Sequence, residues 1–198
     1  LHLSLRRQRQ MCIRDSNKTG GYRGRMRIIG IDPGLRKTGW GVIEANGDAV
    51  CQVANGTCDT KASDSLALRL KTIFEKLTKI VDLHYPDQAA VENTFVNKDA
   101  VNTLKLGQAR GICMLVPALA GLEVEEYAPN AIKKAVVGVG HATKDQIEYM
   151  IKLQFPNIKL NGADATDDLD VAICHASHMR YSMQLQSKLI SVSEENDW

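Results

Sequence analysis

No stretch of this chain approaches the roughly 20 consecutive apolar residues that a membrane-spanning helix requires, and its first residues lack the apolar run of a secretory signal. A soluble, cytoplasmic protein is expected. Cysteine is sparse and unpatterned: Cys12, Cys51, Cys58, Cys113 and Cys174 contain no C-x-x-C pair, and no His-x-x-x-His spacing accompanies them. That excludes a zinc framework and leaves small buried residues in a reducing compartment. Internal repeats are missing too. A broadly basic surface is also missing, although the formal net charge is +2. Arg6, Arg7, Arg9, Arg14, Lys18, Arg23 and Arg25 are opposed only by Asp15, so the leader holds the positive excess and the rest of the chain is net acidic. Any nucleic-acid site must then be a local basic patch beside an acidic pocket.

What is present suffices for one α/β domain: 198 residues, 44% of them hydrophobic, can bury a core but are too few for two comfortable domains. Residues 1–25 show no periodicity and end in a basic, Gly-rich stretch, which reads as a disordered leader. Met26 opens a strong strand and is the expected natural start, the leader being an added remnant or a misplaced start; a basic arm touching DNA phosphates is the alternative. Residues 26–183 are expected to fold, and 184–198 to form a flexible tail.

The run M-R-I-I-G-I-D from Met26 is branched and apolar and stops at Pro33-Gly34, the pattern of a buried central strand and a turn. Residues 39–46 and 49–58 read as two further strands joined through Asn46-Gly47. Leu66, Leu70, Ile73, Leu77, Ile80 and Val81 recur at helical spacing within Ser63–His84, with Ser63 as cap and Pro86 beyond the end. Ala89–Glu92 is the next strand; with a helix before it, it runs parallel to the first. Then follow a helix over Lys98–Ala120, a strand over Val124–Tyr127, and helices over Pro129–Val136, Lys144–Gln154 and about Asp164–Met183. The expectation is a mixed five-stranded sheet with helices on both faces.

Asp32 ends the first strand and Glu92 the strand parallel to it, so neighbouring strands place two carboxylates at one C-terminal rim, where open α/β sheets bind ligands. Asp before Pro-Gly is equally a turn former. Glu92 has no such local reason, since an acid directly after an apolar strand gains nothing from the core. At the head of the last helix stand Asp164, Asp167, Asp168 and Asp170. The first three share a helix face. A helix first turn favours acids, but four exceed what capping needs, and the surplus repel one another unless cations intervene. Carboxylates without Cys or paired His select Mg²⁺ or Mn²⁺. Two such ions roughly 4 Å apart can activate water and stabilise the leaving 3′ oxygen in phosphodiester hydrolysis, with no Ser, Cys or Tyr nucleophile.

Three motifs carry a family resemblance: G-I-D-P-G at Gly30–Gly34 with T-G-W-G at Thr38–Gly41; V-E-N-T-F at Val91–Phe95 with L-K-L-G-Q-A-R-G at Leu104–Gly111; and D-A-T-D at Asp164–Asp167 leading into V-A-I-C-H. In that order and spacing the chain resembles the RuvC Holliday junction resolvases from about Met26 to Met183. The resemblance implies a ribonuclease H-like fold and a nuclease domain over 26–183. It also implies a homodimer acting on four-way DNA junctions in recombination and repair, with paired symmetric nicks that leave 5′-phosphate and 3′-hydroxyl ends. Its metal-binding and catalytic acids fall on Asp32, Glu92, Asp164 and Asp167, holding two ions, Mg²⁺ or a substituting Mn²⁺. A branch-migration helicase complex, RuvA and RuvB, is the implied partner.

Phe95 matches a family aromatic that stacks on bases; an ordinary core Phe is the alternative. Lys133 and Lys144 match lysines near the DNA, while Lys98, Lys105, Arg110 and Lys134 are weaker phosphate candidates that a solvated helix face explains nearly as well. The helix bearing L-K-L-G-Q-A-R-G lies in the family's dimer interface, and Gly107, Ala109 and Gly111 would let a second helix approach; packing on its own sheet is the alternative. The chain departs from the family at Asp168 and Asp170, where small or apolar residues are expected. On a helix Asp168 lies about 40° from Asp164 and can join the metal shell, whereas Asp170, about 240° away, points elsewhere. His175 is expected to pack or face solvent, and His141 could approach phosphate. Actin-like ATPases share such a sheet but need a second domain. A junction-binding scaffold would lack one of the acids, and a relative acting on RNA or other branched DNA stays open.

Overall fold

In the computed structural model, which describes residues 25–46, 49–93, 99–138, 143–154 and 169–182 with the backbone alone at Lys144 and Gln154, the apolar run Met26–Asp32 forms β1. The expected leader and tail, apart from Arg25, lie outside the described residues. β2 (Lys37–Asn46) and β3 (Ala49–Asp59) pair antiparallel with Asn46 opposite Ala49, the register of a two-residue hairpin. β4 (Gln88–Glu92) and β5 (Val124–Tyr127) complete a sheet ordered β3-β2-β1-β4-β5, in which β1, β4 and β5 are parallel.

Strand alternation divides the core into two faces. Ile29, Ile31, Ala89 and Val91 meet α1 (Leu66–His84) and α2 (Ala100–Leu119) through Ile73, Leu77, Val81, Ala109, Cys113 and Val116. Met26, Ile28 and Ile43 meet α3 (Pro129–Val137), α4 (Lys144–Gln154) and α5 (169–182) on the opposite face. Each fully buried Ile or Leu contributes about 1.5–3 kcal/mol by leaving water.

Helix starts differ from the expected ones for local reasons. Ser65, not Ser63, caps α1, its Oγ accepting the Leu68 N–H at 3.4 Å; the Asp64 N–H bonds to the Lys61 carbonyl and holds Ser63 in a turn. Asp99 caps α2 by accepting from the Val101 and Asn102 amides, so that helix begins at Ala100 rather than Lys98.

Two contacts orient α5. A Cβ on Gly30 would stand 2.4 Å from the Ala172 amide nitrogen, so the helix lies on β1 there. Three residues later, His175 bonds to Gln88, whose register partner on β1 is Ile28. As α5 advances, the strands recede: the helix runs antiparallel to β1 and β4, and its N-terminal end is aimed at Asp32 and Glu92.

Candidate metal centre

Asp32 and Glu92 end adjacent parallel strands one step beyond the Ile31–Val91 pair. Parallel strands lie about 5 Å apart. On β1, Ile28 and Gly30 face α5, and on β4 Ala90 packs against Val171 and Cys174 of α5; alternation therefore puts both acidic side chains on that same face. Both are half-buried. The chain behind Asp32 is tightly held: the Thr38 hydroxyl, fully buried, donates to the Gly34 carbonyl at 2.6 Å, and a Cβ on Gly34 would meet the Lys37 carbonyl at 2.0 Å. Only glycine fits that turn. Thr60 donates to the Leu35 carbonyl and accepts from Arg69, tying the turn to α1.

Asp164, Asp167 and Asp168 lie outside the described residues, as do Phe95, Lys98 and His141 and the side chain of Lys144. Among the described residues no three His, Cys, Asp or Glu side chains gather as a metal site. Of the described cations, Lys133 sits on α3, which follows β5 at the acidic rim and packs beside α5 through Ile132. Lys105 and Arg110 are on α2, across the sheet. Arg110 forms an ion pair with Glu126 of β5. Asp170 is 6% exposed at the described start of α5. Ala109 turns into the core, separating it from Gly107 and Gly111, at which an added Cβ would meet nothing within 4 Å.

Sequence reasoning missed a polar cluster beneath Glu92. His175, 3% exposed, bonds through Nε2 to Gln88 Oε1 at 2.5 Å and through Nδ1 to the Tyr127 hydroxyl at 2.9 Å. Because Oε1 only accepts, Nε2 carries the proton and Nδ1 accepts from Tyr127. Burial, with a smaller contribution from His178, pushes the imidazole down to about 4 from 6.5. The unfolded chain thus binds the extra proton first as pH falls. This contribution is full above pH 6.5 and is lost between 6.5 and 4, on the order of 3 kcal/mol in all. Urea unfolding at stepped pH should show that slope in the wild type and a flatter one in His175→Gln; parallel curves would contradict a buried neutral His175.

The buried thiols are poor metal ligands. Cys58 and Cys113 lie in the α1–α2 core and Cys174 under α5, and burial raises them to about 11, 12 and 12 respectively. They stay protonated, so the rim offers hard carboxylate oxygens rather than thiolates. No described helix is long and apolar enough to cross a membrane.

A family model described as crossover junction endodeoxyribonuclease RuvC matches residues 28–175. The crossover junction endodeoxyribonuclease RuvC of Cereibacter sphaeroides is 58% identical over 164 residues, covering 83% of this chain and 97% of the relative. That of Rhizobium johnstonii is 57% identical, covering 83% and 96%. Among solved structures, Thermus thermophilus RuvC in complex with Holliday junction substrate aligns with a TM-score of 0.73 at 25% identity, over 80% of this chain and 97% of that one. The yeast mitochondrial Holliday junction resolvase aligns at 0.57 and 14% identity, over 81% and 86%, a likeness of fold alone.

Proposed function

The chain belongs to the RuvC family of crossover junction endodeoxyribonucleases, enzymes of Holliday junction resolution with a ribonuclease H-like fold, and from that premise we propose that it cuts through a four-carboxylate centre: Asp32, Glu92, Asp164 and Asp167. Enzymes of this family are metal-dependent nucleases. The observation that carries the reading is the pairing of Asp32 and Glu92 on one rim and one face, with α5 aimed at them. The carboxylates of Asp32 and Glu92, with those of Asp164 and Asp167, fit two hard divalent cations. Bound Mg²⁺ or Mn²⁺ would supply an activated water and neutralise the leaving 3′ oxygen, giving 5′-phosphate and 3′-hydroxyl ends.

The protein's own contribution is placement. Asp32 and Glu92 sit on strands whose backbones are fixed on both sides, so their carboxylates hold position before substrate arrives. Asp164 and Asp167 precede the described part of α5 and complete the set, with Asp168 as an additional acid. Lys133, on the helix that leaves the rim, and Lys144, at the first position of α4, neutralise backbone phosphates. Lys98, Lys105 and Arg110 are lesser contacts. Phe95, three residues beyond Glu92, stacks on a base freed at the crossover, an interaction of roughly 1–3 kcal/mol.

Symmetric nicking requires two centres, and α2 offers the face for a homodimer. Val101 (63% exposed), Leu104 (67%), Leu115 (46%) and Leu119 (67%) lie along one face of it, with the open Gly107 and Gly111 and the exposed Gln108 between them. Such a face is best explained by a partner. In a two-fold interface Leu104 is buried twice, at about 2 kcal/mol each, so Leu104→Glu is expected to weaken the dimer by about 10²–10³-fold. Light scattering reads the mass, and paired nicks should become single ones. A dimer of unchanged affinity would move the interface elsewhere. RuvA and RuvB are the proposed partners, the cytoplasm the proposed compartment, and the leader (1–25) and tail (184–198) lie outside the proposed nuclease domain (26–183).

The deciding experiment is a labelled four-way junction and a matched linear duplex with Mg²⁺, Mn²⁺ or chelator. Paired metal-dependent nicks in the junction alone are expected. Metal-dependent cutting of linear DNA or RNA would keep the acidic centre and discard the junction; binding without cutting would leave a scaffold.

A further inference from the structure

Helix α5 is coupled to the rim by something other than apolar packing. Tyr127 is the register partner of Glu92, and its carbonyl accepts the Asn93 N–H at 2.8 Å, so the backbone leaving Glu92 is fixed by this one residue. The hydroxyl of the same Tyr127 donates to His175 on α5, and His175 donates onward to Gln88, four residues before Glu92 on the same face of β4. The ring of Tyr127 is further covered by His178, with centroids 5.0 Å apart. His175 is thus held between the start of β4 and the end of β5. Ala172 fixes how closely α5 approaches the sheet, but van der Waals contact alone lets a helix slide along its axis. A directional chain of hydrogen bonds to two strands does not.

We propose that Tyr127 and His175 are positioning residues that set the axial placement of α5 relative to Glu92, and thereby the affinity of the carboxylate centre for divalent cations. The inference rests on the reading of Asp164 and Asp167 as metal ligands. Groups that orient ligands without touching the ion change affinity by 10–100-fold when removed.

Tyr127→Phe in the full chain removes the hydroxyl and keeps the ring. Calorimetric titration of the DNA-free protein with Mn²⁺ should show dissociation constants raised about tenfold, with the Mg²⁺ midpoint for junction cleavage rising in parallel and junction binding in Ca²⁺ unchanged. Ser177→Ala is the control: Ser177 donates only to the Ile173 carbonyl within α5, so its loss should leave the Mn²⁺ affinity alone. A lower melting temperature in Tyr127→Phe with unchanged Mn²⁺ affinity overturns the proposal, since the hydroxyl would then be merely structural. Asp164→Asn and Asp167→Asn separate the two failures. If they weaken Mn²⁺ binding and Tyr127→Phe does not, the positioning role alone falls; if they leave it unmoved, the reading of the centre falls and the proposal with it.

Discussion

Asp32→Asn is expected to reduce junction cleavage by at least about 10³-fold at saturating Mg²⁺ while junction binding changes less than about threefold. The substitution keeps the shape of the side chain and removes its charge, so the fold has no reason to change. Asp32 is held by its pairing with Gly39 of β2, one residue beyond the last β1–β4 pair, and by the locked turn at Gly34 and Thr38. The melting temperature should stay within a few degrees of wild type. Gel-based cleavage, fluorescence anisotropy in Ca²⁺ and a thermal scan together read the three quantities. Cleavage within tenfold of wild type would remove Asp32 from the centre.

Gly30→Ala should act through the backbone. The added Cβ would stand 2.4 Å from the Ala172 nitrogen and 3.0 Å from its Cα and Cβ, against helix backbone that has no rotamer to yield. Either α5 lifts or β1 bends, at about 2–4 kcal/mol, or a melting point roughly 5–10 °C lower. Cleavage at temperatures where the variant stays folded should fall by more than tenfold, because the displaced helix is the one aimed at Asp32 and Glu92. Ala172→Gly in the same chain should restore little, since the nearest atom is the amide nitrogen rather than the methyl. Full rescue by that second change would mean the close contact is between side chains and that α5 tolerates displacement.

Most of the sheet was legible because its signals are local. β5 was read at the bounds the structure shows, and the parallel pairing of β1 with β4 follows from the helix between them. Two helix starts were displaced by two residues because several polar residues compete for each cap: Ser63 and Ser65 differ only in which amide they can reach once Lys61–Asp64 has turned. Asp170 was expected to point away from Asp164, which lies outside the described residues; what the structure adds is that Asp170 is buried. The ion pair of Arg110 with Glu126 was not legible, because Glu126 belongs to a strand that no periodicity relates to α2.

The sequence by itself determined the element order, the two-sided amphipathicity of the sheet and the placement of Asp32 and Glu92 at strand ends, since these depend on periods of two and 3.6 residues. It also carried the motifs that mark the family. Only the tertiary structure decided which way α5 runs, which of Gly107, Ala109 and Gly111 face outward, and that Tyr127, His175 and Gln88 form one chain. Those bonds join residues 48 and 87 positions apart. No local pattern specifies such a pair, because its geometry exists only after the strands have paired and the helix has closed over them.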